Sequence, residues 1–282
     1  MLSYKHGYHA GNHADVLKHI VLLYLYNLEK KTSNSISYID THSGNGIYKY
    51  ISKYMDKNKE YKHGIKKIQN YKGNNILIKN YLSTINKITK KNNYYPGSPI
   101  FISSISEKND KLFFCELHNN EYHLLKKNLR KFANTKIVNS DGFKFINDKI
   151  NKEKEYFIFI DPSYEIKEDF NKIIQILNNI DNYSNSKILL WYPVLNIFEN
   201  DTLIENIRRK GISNIINAEI PIVKYGQNTG MQGSGLLIIN FKNKSIMPNL
   251  KETINDIQNI LKQEEKVTRY KLRYLWTIRK SI

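Results

Sequence analysis

The sequence predicts an α/β fold with a mainly parallel sheet of seven strands and helices on both faces. Two observations predict it. Short apolar stretches of strand character alternate with stretches of helical periodicity along the 282 residues, and four successive predicted strands each end on an acidic residue. Such alternation is typical of βαβ units, whose strands run parallel. Parallel strands bring their carboxyl ends to one edge of the sheet, where ligands bind.

Each predicted element follows from a local pattern. Residues 14–31 have the length and apolar spacing of a helix, and they end on lysines, which favour a helix C-terminus. Strands are predicted at 35–40, 111–117, 136–139, 156–161, 187–193, 214–222 and 235–241. Helices are predicted at 119–132, 142–150, 168–180, 199–210 and 249–264.

A lysine-rich segment, residues 48–95, interrupts this alternation. It contains twelve lysines but only two acids, and its stretches 64–73 and 77–91 have the spacing of amphipathic helices. Because predicted sheet elements flank it on both sides, we interpret it as a helical subdomain inserted into a single domain that spans residues 1–282. The Pro-Gly and Ser-Pro pairs at 94–99 predict a turn.

The net charge of +18 predicts a polyanionic partner, with nucleic acid the first choice. Codon bias is the alternative explanation, because Lys, Asn and Ile are used heavily while Arg is scarce, as an AT-rich genome favours. Near the C-terminus, "KVTRYKLRYLWTIRK" interleaves basic and aromatic residues. That mixture suits either nucleic-acid binding or a final strand whose basic side chains face solvent.

The sequence predicts a cytoplasmic protein without a metal. No apolar run approaches roughly 18 residues, and the N-terminus lacks the h-region of a signal peptide. The single cysteine, Cys115, suits a reducing compartment and is expected to be a buried hydrophobic residue rather than a nucleophile. His9, His13 and His19 match no metal-ligand spacing, so capping and packing roles are predicted for them.

The four acids that end successive strands are Asp40, Glu116, Asp141 and Asp161. Any one of them can be an ordinary turn or helix cap, but four in series beside a Gly-x-Gly loop favour a nucleoside site. Glu116 is suited to accept from both ribose hydroxyls, and Asp141 from the amino group of adenine. Gly44 allows the backbone to approach the ligand closely. Together they predict an adenosine pocket without a phosphate clamp.

The tetrapeptide Asp-Pro-Ser-Tyr, residues 161–164, follows the fourth strand. Asp161 and the carbonyl of Pro162 are two acceptors that can hold both hydrogens of a planar amino group, while Tyr164 can stack on the base that carries it. A proline-containing turn after a strand is the alternative interpretation. Trp191 is expected to pack in the core, and Tyr192 is placed near the base site.

Asp-Pro-Pro-aromatic is the signature of class I, S-adenosylmethionine-dependent amino methyltransferases that act on adenine N6. Along essentially its whole length the chain resembles one bacterial family of these enzymes, the 23S ribosomal RNA adenine-N6 methyltransferase J family (RlmJ). The strongest match is the N-terminal "MLSYKHGYHAGNHADVLKH". Further matches in the same order are "YIDTHSGNGIY", "YYPGSP", "CELH", "DGF", "WYPV" and "GMQGSG".

The resemblance implies a Rossmann-like class I methyltransferase fold, S-adenosylmethionine as methyl donor and no metal. It implies a cytoplasmic monomer that methylates a specific adenine of 23S rRNA, either naked or in an early assembly intermediate. Carried over by position, the residues that contact S-adenosylmethionine are His19, His42, Ser98, Glu116, Asp141 and Gly142. Asp161 is then the catalytic acceptor. Tyr4 touches the RNA, and His6 and Lys18 help to engage it or to close the site.

Two rival functions stay open at this point. A DNA adenine-N6 methyltransferase shares the same chemistry but flips its base from a DNA duplex. A catalytically weakened RNA-binding protein of the same fold is the second rival, because the motif has Ser163 where the family has a second proline.

Replacing Ser163 by proline tests what this departure costs. A proline there holds Pro162 in an extended conformation and stiffens position 163, so we expect the initial rate of methyl transfer to rRNA to be equal or up to roughly fivefold higher. An inactive Ser163→Pro protein with a native circular dichroism spectrum would mean that the loop has another shape.

Overall fold

The computed structural model describes residues 6–50, 59–90, 93–151, 153–164, 167–178, 185–195, 203–207, 209, 214–223, 230–265 and 267–275. The chain divides into two compact units, Met1–Asp148 and Lys149–Ile282. Over those described ranges, no helix combines the length and the apolar character needed to cross a membrane.

The first unit alternates strands and helices around a small parallel sheet. In chain order its elements are α1 (His13–Lys30), β1 (Ser37–Asp40), β2 (Ile47–Lys49), α2 (Ile65–Ile68), α3 (Ile76–Thr89), β3 (Tyr94–Pro96), α4 (Ser98–Ile105), β4 (Lys111–Cys115), α5 (Asn119–Leu129), β5 (Thr135–Val138) and α6 (Gly142–Lys149). The helix predicted at 14–31 and the strands predicted at 35–40, 111–117 and 136–139 are confirmed within a few residues.

Strands β1, β4 and β5 of this unit run parallel, with β4 between β1 and β5. Asp40 is level with Phe114, and Cys115 is level with Val138, so β1 and β4 end close together. The residues that follow these strands therefore emerge at one edge, as the alternation of strands and helices predicted.

Asp110 ties α1 to the start of this sheet. Its carboxylate is buried and accepts from the hydroxyl of Tyr26 on α1 at 2.7 Å. It also accepts from the N–H groups of Ile36, just before β1, at 2.8 Å and of Glu107 at 2.8 Å. Three donors on one buried carboxylate satisfy it without water and set the path of the chain into β1.

The turn predicted at 94–99 is wrong. Residues 94–96 form β3, which pairs antiparallel with β2 so that Tyr95 lies opposite Tyr48, and α4 begins at Ser98. Pro99 occupies the second position of α4, where a proline is tolerated because the N–H it lacks has no helical partner. Tyr95 is fully buried. The Pro-Gly and Ser-Pro pairs, which suggested a turn at the surface, therefore connect two packed elements.

The inserted segment contains less helix than predicted. Where 64–73 was expected to be helical, α2 is a single turn whose only buried residues are Ile65 and Ile68. The second predicted helix, 77–91, is confirmed as α3, with the side chain of Asn75 accepting from the N–H of Leu77 at 3.0 Å. Helix α3 packs against α1. The role of this segment as an inserted subdomain stays a prediction.

The second unit contains β6 (Phe157–Ile160), α7 (Lys167–Asn178), β7 (Lys187–Val194), β8 (Ile215–Pro221), β9 (Gly233–Ile239), α8 (Ile246–Leu261) and β10 (Lys271–Leu275). β6 and β7 are parallel, whereas β7–β9, β9–β8 and β8–β10 are antiparallel pairs. Of the helix predicted at 199–210, residues 203–207 and 209 are helical, and the rest lies outside the described residues.

The α/β class is confirmed, but the strand count is corrected. The sequence predicted seven strands in the main sheet. Among the described residues, the first unit contributes three such strands and the second unit five, which makes eight. The additional strand is β10, which lies inside the basic and aromatic stretch near the C-terminus. The strand interpretation of that stretch is therefore confirmed for 271–275, and β10 forms an antiparallel edge on β8.

Tyr192 belongs to the core of the second unit, and its place near the base site stays a prediction. Its side chain is fully buried, and its hydroxyl lies 2.7 Å from Asn217 Oδ1 and 2.8 Å from Glu219 Oε1 on β8. The ring crosses β9 at Gly235, where a Cβ atom would lie only 2.2 Å from Tyr192 Cζ. A glycine at 235 is therefore required for this packing.

We expect Gly235→Ala to lower the free energy of unfolding by about 1–3 kcal/mol, because the added methyl group overpacks the Tyr192 ring. Urea denaturation measures the change. Ser234→Ala is the matched control: Ser234 is the adjacent buried residue, its Oγ has no hydrogen-bond partner within the described ranges, and its loss should change stability by less than about 0.5 kcal/mol. Equal midpoints for the two variants would contradict this packing argument.

Candidate active site

Asp40 organises the loop after β1. It is fully buried, its Oδ1 accepts from the N–H of His42 at 3.2 Å, and its Oδ2 accepts from the hydroxyl of Ser98 at 2.7 Å. Ser98 is the first residue of α4, so one carboxylate joins the end of a strand to the start of a helix 58 residues away in sequence.

Glu116 holds the turn that contains Gly44. Its Oε2 accepts from the N–H of Gly44 at 2.8 Å, and its Oε1 accepts from the N–H of His118 at 2.7 Å. Gly44 has a φ of +59°, a conformation that favours glycine. Burial raises the pKa of Glu116, and the two N–H donors oppose part of that rise. The carboxylate is thus fixed in position with lone pairs remaining on both oxygens.

Asp141 and Gly142 form the start of α6. Asp141 Oδ1 accepts from the N–H of Phe143 at 2.8 Å and of Lys144 at 3.2 Å, so this acid caps its own helix. A Cβ atom at Gly142 would lie 2.0 Å from the carbonyl oxygen of Thr41. Only glycine lets the beginning of α6 approach the loop after β1 this closely.

The predicted histidines of the cofactor site have different surroundings. His42 is partly buried, with its Nδ1 2.7 Å from the hydroxyl of Thr41 and its ring edge-to-face with Phe143 at 4.9 Å. His19 is buried, with its Nδ1 2.7 Å from the hydroxyl of Tyr95 and its ring 5.0 Å from Phe101. His42 therefore joins the loop around Glu116, whereas His19 lies in an aromatic cluster of α1, β3 and α4.

The structure thus connects most of the predicted cofactor residues of the first unit. Direct contacts join Gly44 to Glu116, Ser98 to Asp40, and the loop at Thr41 to Gly142. We call these strand-end residues and their neighbours the carboxylate cluster, which consists of Asp40, His42, Gly44, Ser98, Glu116, Asp141 and Gly142. Their contact with S-adenosylmethionine stays a prediction.

The residues predicted to engage RNA are described only in part. Tyr4 lies outside the described residues, and His6 begins a 3₁₀ turn with a side chain that is not described. Lys18 is buried and its Nζ lies 2.7 Å from Asp15 Oδ1 on the same helix. The contact of Lys18 with RNA stays a prediction.

Cys115 has the surroundings that were predicted. It is fully buried at the end of β4, and burial together with the charges of nearby Asp40 and Asp141 raises the pKa of its thiol. A thiol with a raised pKa carries little thiolate, which is the nucleophilic form. The interpretation of Cys115 as a buried hydrophobic residue is confirmed.

The Asp-Pro-Ser-Tyr loop follows β6 in the second unit. Tyr164 has a φ of +54°, which is unfavourable for an aromatic residue by about 1–2 kcal/mol. Its N–H donates to Asp169 Oδ2 at 3.1 Å, and its hydroxyl donates to the carbonyl of Trp191 at 2.6 Å. Its ring centroid lies 4.6 Å from that of Phe170. Trp191 is buried as predicted, and it anchors the loop.

A model of the family "Ribosomal RNA large subunit methyltransferase D, RlmJ" matches residues 33–276. Two curated relatives are both named "Ribosomal RNA large subunit methyltransferase J". The Haemophilus influenzae protein is 31% identical over 90% of this chain and 94% of its own length, and the Escherichia coli protein is 31% identical over 85% and 87%. The chain belongs to the RlmJ family.

A solved structure has a closely similar fold. The crystal structure of a Legionella pneumophila protein matches with a TM-score of 0.82 and 31% identity, over 94% of this chain and 98% of that one. The range that matches the RlmJ family model includes Glu116, Asp141 and the loop 161–164 and begins after α1. Membership of the RlmJ family thus covers both the carboxylate cluster and the loop that follows β6.

Glu60 is a residue of this RlmJ-family protein that the motifs did not indicate. Its Oε1 lies 2.9 Å from His9 Nδ1, and its Oε2 accepts from the side-chain amide of Asn12 at 3.0 Å. Nearby, the N–H of Ile65 donates to the carbonyl of Gly11 at 2.8 Å. The inserted segment is therefore attached to the turn before α1. The only clue in the sequence was an isolated acid among many lysines.

Packing is confirmed for His13 and His19, which are buried, whereas His9 forms an ion pair that was not predicted. His9 is ion-paired with Glu60, and His19 is hydrogen-bonded to Tyr95. His13 is buried, and burial lowers its pKa to about 4. Among the residues that the structure describes, no group of three His, Cys, Asp or Glu side chains is arranged to hold a metal ion.

The His9–Glu60 pair should make a pH-dependent contribution to stability. Burial lowers the pKa of His9, but the hydrogen bond and charge of Glu60 outweigh this effect, so the pKa lies above 6.5. Burial raises the pKa of Glu60, but the hydrogen bond and charge of His9 outweigh that effect and bring it below 4.5. The contribution is therefore complete between about pH 4.5 and 6.5. It declines as pH rises through the folded-state pKa of His9 or falls through that of Glu60.

A double-mutant cycle of His9→Gln and Glu60→Gln, measured by urea unfolding, isolates this contribution. We expect a coupling free energy of about 0.5–1 kcal/mol at pH 6, in the range of partly solvated ion pairs, and a smaller value at pH 9. The cycle largely cancels the titration of His13, because that residue is present in all four proteins. A coupling free energy that rose with pH above 6.5 would contradict the assigned ion pair.

Proposed function

We propose that this protein transfers a methyl group from S-adenosylmethionine to N6 of a specific adenine in 23S rRNA. One observation carries the proposal: residues 33–276 match the RlmJ family, and that range includes both the carboxylate cluster and the Asp-Pro-Ser-Tyr loop. The curated relatives bear the name of ribosomal RNA large subunit methyltransferases, and this chain covers 94% and 87% of their lengths.

The carboxylate cluster fits the nucleoside part of S-adenosylmethionine. Glu116 is held by two backbone N–H groups, and its remaining lone pairs can accept from both ribose hydroxyls. Leu117, the next residue, is 49% exposed and offers an apolar side chain to a planar base. Asp141 and the residues at the start of α6 provide the polar groups for the edge of that base. His19, His42, Ser98 and Gly142 complete the proposed contacts with S-adenosylmethionine.

Residues 161–164 orient the adenine amino group for the reaction. Bound S-adenosylmethionine supplies a methyl group on a positively charged sulfur. Asp161 and the carbonyl of Pro162 accept the two hydrogens of the adenine amino group, which directs the nitrogen lone pair at the methyl carbon. The same acceptors stabilise the positive charge that develops on nitrogen. As the nitrogen–carbon bond forms, the carbon–sulfur bond breaks, and the methylated nitrogen then loses one proton to solvent, so Asp161 acts as an acceptor and not as the base that triggers the reaction.

The substrate is an adenine that can leave its stacked position, since Tyr164 can stack only on a base that has left its helix or loop. The lysines of residues 48–95 and the N-terminal residues Tyr4, His6 and Lys18 supply the RNA contacts. The RNA is naked 23S rRNA or an early assembly intermediate, and the protein acts in the cytoplasm as a monomer. No step requires a metal ion.

The deciding experiment maps N6-methyladenine by mass spectrometry in rRNA from cells with and without the gene. It is paired with methyl transfer by the purified protein to 23S rRNA and to DNA. Loss of one modified adenine together with transfer to rRNA supports the proposal. Transfer to DNA alone favours the DNA methyltransferase. RNA binding without measurable affinity for S-adenosylmethionine favours the weakened RNA-binding protein.

Asp161→Ala and Glu116→Ala should separate the two roles proposed for these carboxylates. Asp161→Ala should reduce kcat by about 100- to 1000-fold and leave the Kd for S-adenosylmethionine within about twofold, because only the amino-group acceptor is lost. Glu116→Ala should raise that Kd by about tenfold or more, because the acceptor for the ribose hydroxyls is lost. Calorimetry and single-turnover kinetics measure the two effects. The residue assignment fails if both variants change only the Kd.

A further inference from the structure

Asp169 is a buried carboxylate to which the proposed chemistry assigns no role. Its exposed fraction is 6%, and its Oδ2 accepts from the backbone N–H of Tyr164 at 3.1 Å. Helix α7 begins at Lys167, so Asp169 is the third residue of that helix. A carboxylate is rarely buried this fully unless donors hold it.

The bond from Asp169 joins the first turn of α7 to the loop that follows β6. Its Oδ2 reaches back five residues, to Tyr164 of the Asp-Pro-Ser-Tyr loop. Glu168, the other acid in this first turn, is exposed and supplies the negative charge that a helix N-terminus favours. Asp169 is thus not needed for that charge.

Tyr164 is held at three points, and two of them come from the first turn of α7. Asp169 binds its N–H, and Phe170 packs against its ring at 4.6 Å between centroids. The third point is the carbonyl of Trp191, which accepts from the Tyr164 hydroxyl at 2.6 Å. Burial, with the charges of Asp161 and Asp169, raises the pKa of Tyr164, so its hydroxyl keeps the proton that it donates.

The backbone of Tyr164 needs such support. Its φ of +54° is sparsely populated by aromatic residues, and such conformations persist only where surrounding contacts impose them. Without an acceptor for its N–H, the residue can relax toward the favoured negative φ region. That relaxation would turn the peptide plane that follows Ser163 and move the acceptors of Asp161 and Pro162 with it.

We propose that Asp169 is a positioning residue that holds Tyr164 in its left-handed conformation and thereby orients the two acceptors of the Asp-Pro-Ser-Tyr loop. This inference rests on the proposed methyl transfer. Asp169 acts through Tyr164 and does not touch the substrate. A carboxylate serves better than a neutral acceptor here because a charge-assisted hydrogen bond is the stronger one.

The test uses three variants: Asp169→Ala, which removes the acceptor, Asp169→Asn, which keeps a side-chain oxygen, and Glu168→Ala, which removes a charge from the same turn. The chain has two tryptophans, so Trp276→Phe leaves Trp191 as the only one. The Tyr164 ring lies edge-on to Trp191 at 5.5 Å, so Trp191 emission reports on the position of Tyr164 independently of methyl transfer.

We expect Asp169→Ala to lower kcat by about 10- to 100-fold, as a small misplacement of reacting groups does, with an unchanged Kd for S-adenosylmethionine. Its Trp191 emission should shift. Asp169→Asn should recover most of the rate and the emission of the parent, because its side-chain oxygen can still accept the N–H. Glu168→Ala should match the parent in both measurements.

The proposal is overturned if Asp169→Ala, with native circular dichroism, keeps the parent kcat and Trp191 emission. If Asp169→Ala does not fold, Asp169→Asn is the deciding variant, because it keeps an oxygen that can accept the Tyr164 N–H. A folded Asp169→Asn protein with altered Trp191 emission and a lowered kcat would then contradict the proposal. If the parent methylates no RNA, the proposed function fails. The Trp191 comparison still tests the positioning of Tyr164.

Discussion

Backbone N–H groups just beyond the end of a strand have no partner in the sheet. A buried N–H group without any hydrogen-bond acceptor destabilises a protein by about 1–3 kcal/mol. In this chain buried carboxylates supply the missing acceptors. Asp40 and Glu116 do so after β1 and β4, Asp110 before β1, and Asp169 after the loop that follows β6. Asp40, Asp110 and Glu116 also reach segments that are distant in sequence, so the same kind of hydrogen bond both satisfies these loops and fixes their positions.

The same bonds prepare Glu116 for a ligand. Burial favours the neutral form of this acid, while the N–H groups of His118 and Gly44 favour the charged form. They also hold both oxygens in place before any ligand arrives, so the entropy of ordering them is lost on folding rather than on binding. Gly44, with its positive φ, and Gly142, with no room for a Cβ atom, are the residues that permit this arrangement.

Local patterns in the sequence predicted the α/β class, most strands and the acids at their ends, because burial and turn chemistry act within a few residues. They failed where distant contacts decide the outcome. The stretch 94–99 contains turn-forming pairs, yet Tyr95 is buried against α1 and β2. Glu60 contacts His9, which is 51 residues away in sequence. Tyr192 contacts β8 only because Gly235 has no Cβ atom and so leaves room for the tyrosine ring. The hydrophobic periodicity of the sequence gives no indication of such long-range contacts.

The loop at 161–164 shows how a local departure can be offset by distant contacts. In the motif that this chain resembles, a second proline restricts the backbone before the aromatic residue, and Ser163 lacks that restriction. Here the conformation is imposed from the other side, because Asp169 binds the Tyr164 N–H and Trp191 binds its hydroxyl. Two hydrogen bonds to buried groups contribute more to the shape of the loop than the roughly 0.4–1 kcal/mol that a proline ring adds. The rigidity of the loop therefore depends on α7 and β7 more than on the residue at 163.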